Sequence, residues 1–357
     1  MKILLLADGR SVHTERFRKG LRDAGAEVKL ASLEPGEAVD YPIKRKSSLN
    51  SINYFLAGRQ IRELTESFDP DIVNPHFVSG YGYTVAVSKV WKQKPVVLHG
   101  LGSDILVSPR KSFLHKWRVI KSLECATRVV VDSQYLSNEI KKLNPEIEPA
   151  VIPWGVEEAV LQIFLKKEGA NIDSGRPRQV LIPRPHNPVY NNNFIIEALG
   201  DMVRKRRIVL TFPARGDDYK VFRRRCEREF PEGGINFYGF LPRREYIKFL
   251  GGFDIYLSAA LSDSSPASLI EAMGAGLFPV VGDVPGVREW ANDDSSILFD
   301  VKDKESLESG LRRLLSGKLN YRGILLKNHR KVRSEALFSE NIRQTLSIME
   351  AMIGRKV

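Results

Sequence analysis

The chain has 357 residues, 43% of them hydrophobic and 27% charged, with 55 Lys and Arg against 43 Asp and Glu for a net charge of +12. At ~100–200 residues per domain there is room for two domains with separate cores; the balance excludes a collagen, a coiled-coil rod and wholesale disorder, and no uncharged apolar run approaches the ~20 residues that span a bilayer. The positive excess favours anionic partners, but residues 1–155 carry half of it, with 23 basic and 17 acidic side chains, and so even a spread argues against a nucleic-acid-binding face.

Residues 2–7 read as a buried strand; the run is too short for a signal-peptide core, and Asp8 ends it. Apolar positions at helical spacing over 14–24, stopped by Gly25, predict a helix. Strands are predicted at 27–31, 71–74, 95–99 and 128–131, with helical patterns between them near 82–91, 112–126 and 134–142. The alternation pauses after 150–152. Residues 156–178, with one short helical stretch and a polar run from Gly169 to Gly175, read as a linker. Alternation then resumes, with strands at 179–183, 207–211, 235–238, 254–258 and 278–281 and helices at 192–202, 219–229, 243–250 and 266–275. A last helix is predicted over 338–352.

Repeated strand–helix–strand units predict an α/β fold with parallel sheets. Two such halves, 1–155 and 179–337, predict two Rossmann-like domains facing each other. In open α/β sheets ligands bind beyond the strand carboxyl ends, so the expected site is a cleft between the two.

The most informative stretch is Asp263-Ser264-Ser265-Pro266-Ala267-Ser268-Leu269-Ile270-Glu271. Ser265 reads as a helix N-cap and Pro266 as the first helical residue. The free amides of that first turn suit an anion or polar hydroxyls. Glu271 lies about 7–8 Å further along the helix axis. Two carboxylates framing an amide-rich turn can accept hydrogen bonds from paired hydroxyls, as on a ribose or a hexose. The same pattern also reads as a capped helix with Asp263 solvated and Glu271 in a surface ion pair.

Other candidates sit where predicted strands end. Arg184 follows the first strand of the second half, in Pro183-Arg184-Pro185-His186, where a guanidinium could brace a diphosphate; Arg215 follows the next strand. Asp8-Gly9-Arg10-Ser11 links the first strand to its helix, and Gly9 would allow close backbone approach to a ligand; His13 reads more readily as a helix-cap residue. His99 ends a buried strand in His99-Gly100-Leu101-Gly102-Ser103-Asp104, with Asp104 available to orient it or to begin a helix; His76 is a weaker candidate of the same kind. Arg110, Lys111, Lys116, Arg118 and Lys121 fall in a stretch with no acid, interleaved with Phe113, Leu114 and Trp117. Such a helix can sit on an anionic membrane, or show a solvated basic face with Trp117 in the core.

The stretch from Asp263 to Glu271 resembles the carboxylate–seven residues–carboxylate motif of retaining glycosyltransferases of family 4, which have the GT-B fold. Ala272-Met273-Gly274-Ala275-Gly276-Leu277-Phe278-Pro279-Val280-Val281 and Pro285-Gly286-Val287-Arg288-Glu289 are similar to the segments that follow it in that family. The resemblance implies an acceptor-binding domain over 1–155, a nucleotide-sugar domain over 179–337 and a helix at 338–357 packing back on the first. It implies that Glu271 binds the donor's ribose hydroxyls, and that Asp263, with amides of Ser264, Ser265, Pro266 and Ala267, binds its hexose. Arg184 would lie on the pyrophosphate. The family has a Lys a few residues further on; here Tyr190 and Asn191 occupy that region, so Arg215 is the candidate second cation. The family also has Glu where this chain has Asp263, which bears on the donor sugar. His99 would contact that sugar, and the loop with Gly9 and Ser11 would face donor phosphate and acceptor.

The implied activity is retaining transfer of a hexosyl unit from a UDP- or GDP-sugar to a hydroxyl of a glycan or lipid-linked glycan. The alternatives are a nucleotide-sugar-modifying enzyme such as an epimerase on the same fold, and a non-enzymatic polyanion-binding protein, against which the carboxylate pair argues. There is no Asp-x-Asp element before a Gly-rich turn and no His/Cys ligand spacing, so no metal and no cofactor is expected. Cys125 and Cys226 make no disulfide framework and suit a reducing cytoplasm. The expected location is cytoplasmic, with peripheral contact to the membrane's inner face through 110–121, and no nucleic-acid partner.

Overall fold

The computed structural model of the chain describes residues 1–167 and 176–353. The chain divides into two compact units. One is Met1–Pro153 together with the residues from Ser339 onward; the other is Trp154–Phe338.

Among the described residues the first unit holds seven parallel strands: β1 (Lys2–Leu6), β2 (Glu27–Ser32), β3 (Tyr41–Pro42), β4 (Ile72–Pro75), β5 (Val97–Gly100), β6 (Arg128–Val131) and β7 (Ala150–Val151). They form two sheets, β3-β2-β1-β4 and β5-β6-β7. Single parallel bridges, Val73 to Val96 and His76 to His99, set β4 beside β5. Ile3 to Leu6 are wholly buried, which is why β1 reads as an unbroken apolar run. Helix Val12–Asp23 buries Thr14, Phe17 and Leu21, one face at helical spacing. Gly25 at φ +95° ends it: the amides of Gly25 and Ala26 donate to the carbonyls of Arg22 and Leu21, a Schellman stop. The last helix, Phe338–Glu350, continues from Ser339 in this unit, where the Asn341 amide donates to the Pro153 carbonyl at 2.7 Å.

The second unit is built on one six-stranded parallel sheet in the order β10-β9-β8-β11-β12-β13. The strands are β8 (Arg178–Leu181), β9 (Ile208–Pro213), β10 (Ile235–Tyr238), β11 (Ile255–Ser258), β12 (Phe278–Gly282) and β13 (Ile297–Phe299). Alternate residues serve two cores. Val180, Ile255, Leu257, Phe278 and Val280 face helices Asn192–Arg204, Tyr219–Glu229 and Lys304–Leu315. Leu181, Tyr256 and Val281 face helices Glu158–Lys167, Ala267–Gly274 and Tyr321–Glu335. The order reverses between β8 and β11, which pair through Ile255 with Val180 and Tyr256 with Leu181. That is the topological switch point of a doubly wound sheet.

The expected linker differs from what is found. Residues Glu158–Lys167 are a helix whose Val160, Leu161 and Phe164 are buried against the second unit's cores. Three apolar residues within five positions give one helical face, and that is enough to pull the segment out of a linker. The Gly169–Gly175 run lies outside the described residues. Helices Asn50–Leu56, Gly58–Phe68, Lys304–Leu315 and Tyr321–Glu335 and strand β13 also go beyond the predicted elements.

Candidate active site

Six of the predicted donor-side residues, Arg184, Arg215, Asp263, Ser264, Ser265 and Pro266, lie on loops beyond the carboxyl ends of the second unit's strands. Arg184 leaves β8 and Asp263 leaves β11, the two strands at the switch point, and their side chains form an ion pair. Both are mostly buried, with 13% and 15% of the side chain exposed. The Tyr190 ring lies 5.4 Å from the Arg184 guanidinium, in cation–π contact. Burial alone would lower the Arg184 pKa; Tyr256, Asp263 and Tyr190 reverse this and raise it, so the guanidinium stays charged. Its buried Nε has no hydrogen-bond acceptor among the described residues.

The helix behind Asp263 begins one residue later than expected. Pro266, at φ −70° and ψ 100°, is the N-cap, and Ala267–Gly274 is the helix. Ser265 is no cap because its hydroxyl is engaged elsewhere: it accepts from the indole Nε1 of Trp290 at 3.1 Å. Ser264 and Ser265 are buried, and the Ser264 amide donates to its neighbour Asp263 at 3.0 Å. The loop leaves no room at Gly286. A Cβ there would come 2.1 Å from the Ser264 carbonyl and 2.4 Å from that of Asp263, which is why the Pro285-Gly286 turn carries glycine.

Glu271 is not a surface carboxylate. Only 8% of its side chain is exposed, and its Oε1 lies 2.7 Å from Nη1 of Arg243. Arg243 opens helix Arg243–Leu250 and also grips Glu157 with Nε, at 3.0 Å, and Nη2. Burial would lower the Arg243 pKa, but Glu271 and Glu157 together raise it. Tyr238, at the end of β10, is pushed up to about 12 by burial, with Arg215 acting against the shift and Glu271 adding to it. Arg215 and Glu271 are therefore both in electrostatic reach of one phenol. Arg215 itself is exposed, beside Gly216, whose φ is +115° and whose backbone packs on His186. His186 is buried, its Nε2 facing the Pro213 carbonyl at 3.0 Å and Nδ1 facing Asn192 at 3.2 Å; burial lowers its pKa to about 4.

Gly9, Ser11 and His99 belong to the first unit. The close approach at Gly9 is to this chain's own backbone: a Cβ on Gly36 would come 2.0 Å from the Gly9 carbonyl oxygen, and one on Gly9 would strike Val39 and the Glu34 carbonyl. The Gly9 amide donates to the Ser32 hydroxyl at 2.9 Å, which in turn contacts the Tyr81 hydroxyl at 3.2 Å. Ser11, not His13, stands at the N-cap position of Val12–Asp23, with no side-chain cap bond. His99 is buried at the end of β5, with its ring centroid 4.5 Å from that of His76 and 5.2 Å from Phe17.

The tautomer of His99 follows from its neighbour. Asn74 Nδ2 donates to the Val97 carbonyl, which can only accept, so the amide orientation is set. The same nitrogen lies 2.9 Å from Nδ1 of His99; Nδ1 therefore accepts, and Nε2 carries the proton. Burial lowers the His99 pKa to about 3, and that of His76 well below its usual value. His99 is a neutral hydrogen-bond donor at pH 7, not a base. Asp104 does not touch this ring. It accepts from the amides of Val78, at 2.6 Å, and Leu101, at 3.0 Å, and so ties the loop after β4 to the loop after β5. Burial raises its pKa to about 6 against those bonds.

Sequence reasoning did not single out Arg243, Glu157, Tyr256, Tyr238 or Asn74. Each acts through a partner distant in the chain, and none stands in a recognisable local pattern. Among the described residues no group of three or more His, Cys, Asp or Glu side chains is placed to hold a metal ion. Cys125 and Cys226 are free thiols, pushed by burial up to about 11 and 12. No helix among the described residues is long and apolar enough to cross a membrane.

Residues 2–133 match the family model "Glycosyl transferase 4-like", and residues 169–332 match "Glycosyl transferases group 1". No curated protein matches the chain in sequence. Among solved structures it is similar to a sucrose-phosphate synthase from Thermosynechococcus elongatus (TM-score 0.80, 12% identity, 98% of each chain covered). It is also similar to HepE from Anabaena in complex with UDP and glucose (TM-score 0.79, 14% identity, 98% of this chain and 100% of that one). A glycosyltransferase from Rickettsia africae gives a TM-score of 0.78 at 16% identity, with 99% of each chain covered. With two parallel-stranded α/β units and both family models matched in chain order, the chain belongs to the family-4-like glycosyltransferases of the GT-B fold.

Proposed function

We propose that the enzyme is a retaining hexosyltransferase that uses a UDP- or GDP-sugar and an acceptor hydroxyl on a glycan or lipid-linked glycan. The observation that carries this reading is the ion pair of Arg184 with Asp263 at the switch point, immediately ahead of the helix that bears buried Glu271. Glu271 binds the ribose diol. Asp263 and the amides of Ser264, Ser265 and Ala267, with the turn set by Pro266, bind the hexose. Arg184 braces the diphosphate, and its buried, unsatisfied Nε is a donor that a phosphate oxygen would complete. Arg215 is the second cation. These groups and the first-turn amides stabilise the leaving diphosphate electrostatically, without a metal or other cofactor. The solved complexes of HepE with UDP and with UDP-glucose support a nucleotide-sugar donor.

His99 donates its Nε2 proton in a hydrogen bond to the donor sugar and stays neutral. The loop with Gly9 and Ser11 serves the donor phosphate and the acceptor. In the transfer, the bond from the anomeric carbon to the phosphate oxygen breaks and a bond to the acceptor oxygen forms on the same face. The acceptor's proton passes to the departing phosphate, so configuration is retained and no side-chain nucleophile is needed.

In this reading the enzyme is cytoplasmic, and the surface of helix Phe113–Glu124 supports peripheral contact with an anionic membrane. Phe113 is 85% exposed, Leu114 51% and Trp117 40%; Trp117 meets Tyr83 in a T-shaped ring contact and is not a core residue. Glu139 pairs with Arg110, and Glu124 with Lys121. Lys111 and Lys116 make no ion pair among the described residues, and they match a negative surface in charge.

A thermal-shift screen with UDP, GDP, ADP and their sugar conjugates tests the donor reading. A rise in melting temperature with one nucleotide class, lost in E271A, is expected; no rise with any of them sinks it. The anomeric configuration of the product, read by NMR, tests retention.

A further inference from the structure

We propose that Arg243 is a positioning residue for the donor: it holds the ribose-binding carboxylate of Glu271 in place and is itself held by Glu157. This rests on the ribose role given to Glu271 above.

The geometry is a bridge through one guanidinium. Arg243 presents Nε and Nη2 to the carboxylate of Glu157 and Nη1 to Oε1 of Glu271 at 2.7 Å. A guanidinium has its donors in one rigid plane, so gripping Glu157 along one edge sets the direction in which the other edge points. A lysine ammonium has no such fork. Both ends of the bridge are anchored. Pro242 is the N-cap of the helix that Arg243 begins, and Ile247 and Leu250 bury that helix. Glu157 follows Val156, whose amide donates to the Ala336 carbonyl at 2.7 Å and whose carbonyl accepts from Phe338 at 2.9 Å.

The bridge answers a problem that burial poses. Glu271 has 8% of its side chain exposed, and a carboxylate taken so far out of water needs a cation to remain charged and a fixed partner to remain oriented. Ribose hydroxyls offer only neutral, directional hydrogen bonds, so they gain from a carboxylate that is already aimed. Arg243 meets both needs without touching the sugar.

The test is a thermodynamic cycle. Affinities for UDP and GDP are measured by calorimetry on the full chain as wild type, E271Q, R243M and the double variant, with the donor and acceptor KM of each. E271Q and R243M are each expected to weaken binding of the nucleotide that the wild type takes by about tenfold. The double variant should be within twofold of E271Q. R243M should raise donor KM while kcat and acceptor KM stay within threefold. If R243M fails to fold, E157Q takes its place, with an expected loss of about threefold that vanishes in the E271Q background. Wild-type affinity in R243M, or losses that multiply in the double variant, overturns the positioning role. Unchanged affinity in E271Q overturns the ribose role of Glu271 itself, and the positioning role falls with it.

Discussion

Arg184 and Asp263 are 79 residues apart in the chain and ion-paired in the fold, each at the end of one of the two strands that meet where the sheet's winding reverses. Each of the two motif carboxylates thus meets an arginine, Asp263 with Arg184 and Glu271 with Arg243. In the proposed donor complex, a phosphate at Arg184 would share its cation with Asp263, whereas a ribose at Glu271 would meet a carboxylate already held.

That sharing separates binding from transfer at Asp263. D263N frees Arg184 from its counter-charge, so UDP or GDP should bind no more weakly than to wild type. The proposed hexose contact would be lost, and kcat/KM should fall about 100-fold, or about 2.7 kcal/mol of transition-state stabilisation. Calorimetry and initial rates on one preparation check both halves. Weaker nucleotide binding in D263N would place Asp263 on the nucleotide instead of the sugar.

Gly286 carries a purely steric prediction. In G286A the new Cβ would press on the carbonyls of Ser264 and Asp263, and backbone atoms in a buried turn cannot swing aside. A loss of about 1–3 kcal/mol is expected, the range for overpacking. It should appear in urea unfolding together with reduced transfer, because the displaced turn is the one that carries Asp263.

The buried histidines make the first unit acid-sensitive. The His99 pKa of about 3 lies below its unfolded value of 6.5, so the unfolded chain takes up a proton first as pH falls. The stability from this group is full above 6.5 and is lost on the way down toward 3, at about 1.4 kcal/mol per pH unit. Asp104 runs the other way: its folded pKa, about 6, exceeds its unfolded value of 3.8, so its contribution is full below 3.8 and is lost as pH rises to 6. Between pH 4 and 6 the two oppose each other. H99Q should therefore shift the slope of stability against pH between 4 and 6 toward the negative, and D104N should shift it toward the positive. Denaturant melts at half-unit pH steps read both slopes.

Membrane contact has its own signature. F113S/W117S and K111E/K116E should each reduce co-sedimentation with vesicles of one-third phosphatidylglycerol in phosphatidylcholine, and added salt should weaken wild-type binding. Transfer to a short water-soluble acceptor should not change. Equal binding to pure phosphatidylcholine vesicles would remove the electrostatic part of the reading.

Much of this protein was legible in local patterns, because local chemistry writes them. A central parallel strand is apolar throughout, so Ile3 to Leu6 announce β1. A helix that starts after a carboxylate and ends at a glycine reads directly from Asp263 to Gly276, where the amides of Gly276 and Leu277 close the last turn on the carbonyls of Met273 and Ala272. The spacing of Asp263 and Glu271 is set by one short loop and the helix it leads into, so it too belongs to the sequence. What the sequence could not show is which charge meets which. Arg243 and Glu157 are 86 residues apart, and only the packing of two helices on one face of the sheet brings them to Glu271. The tautomer of His99 waited on Asn74 in the neighbouring strand, and the hydroxyl of Ser265 was taken from its expected cap by Trp290, 25 residues away. Helix Glu158–Lys167 passed for a linker because its three buried residues have meaning only against cores contributed by distant strands and helices. Periodicity and capping are properties of neighbours in the chain, whereas the partners of a buried charge are chosen by the tertiary fold.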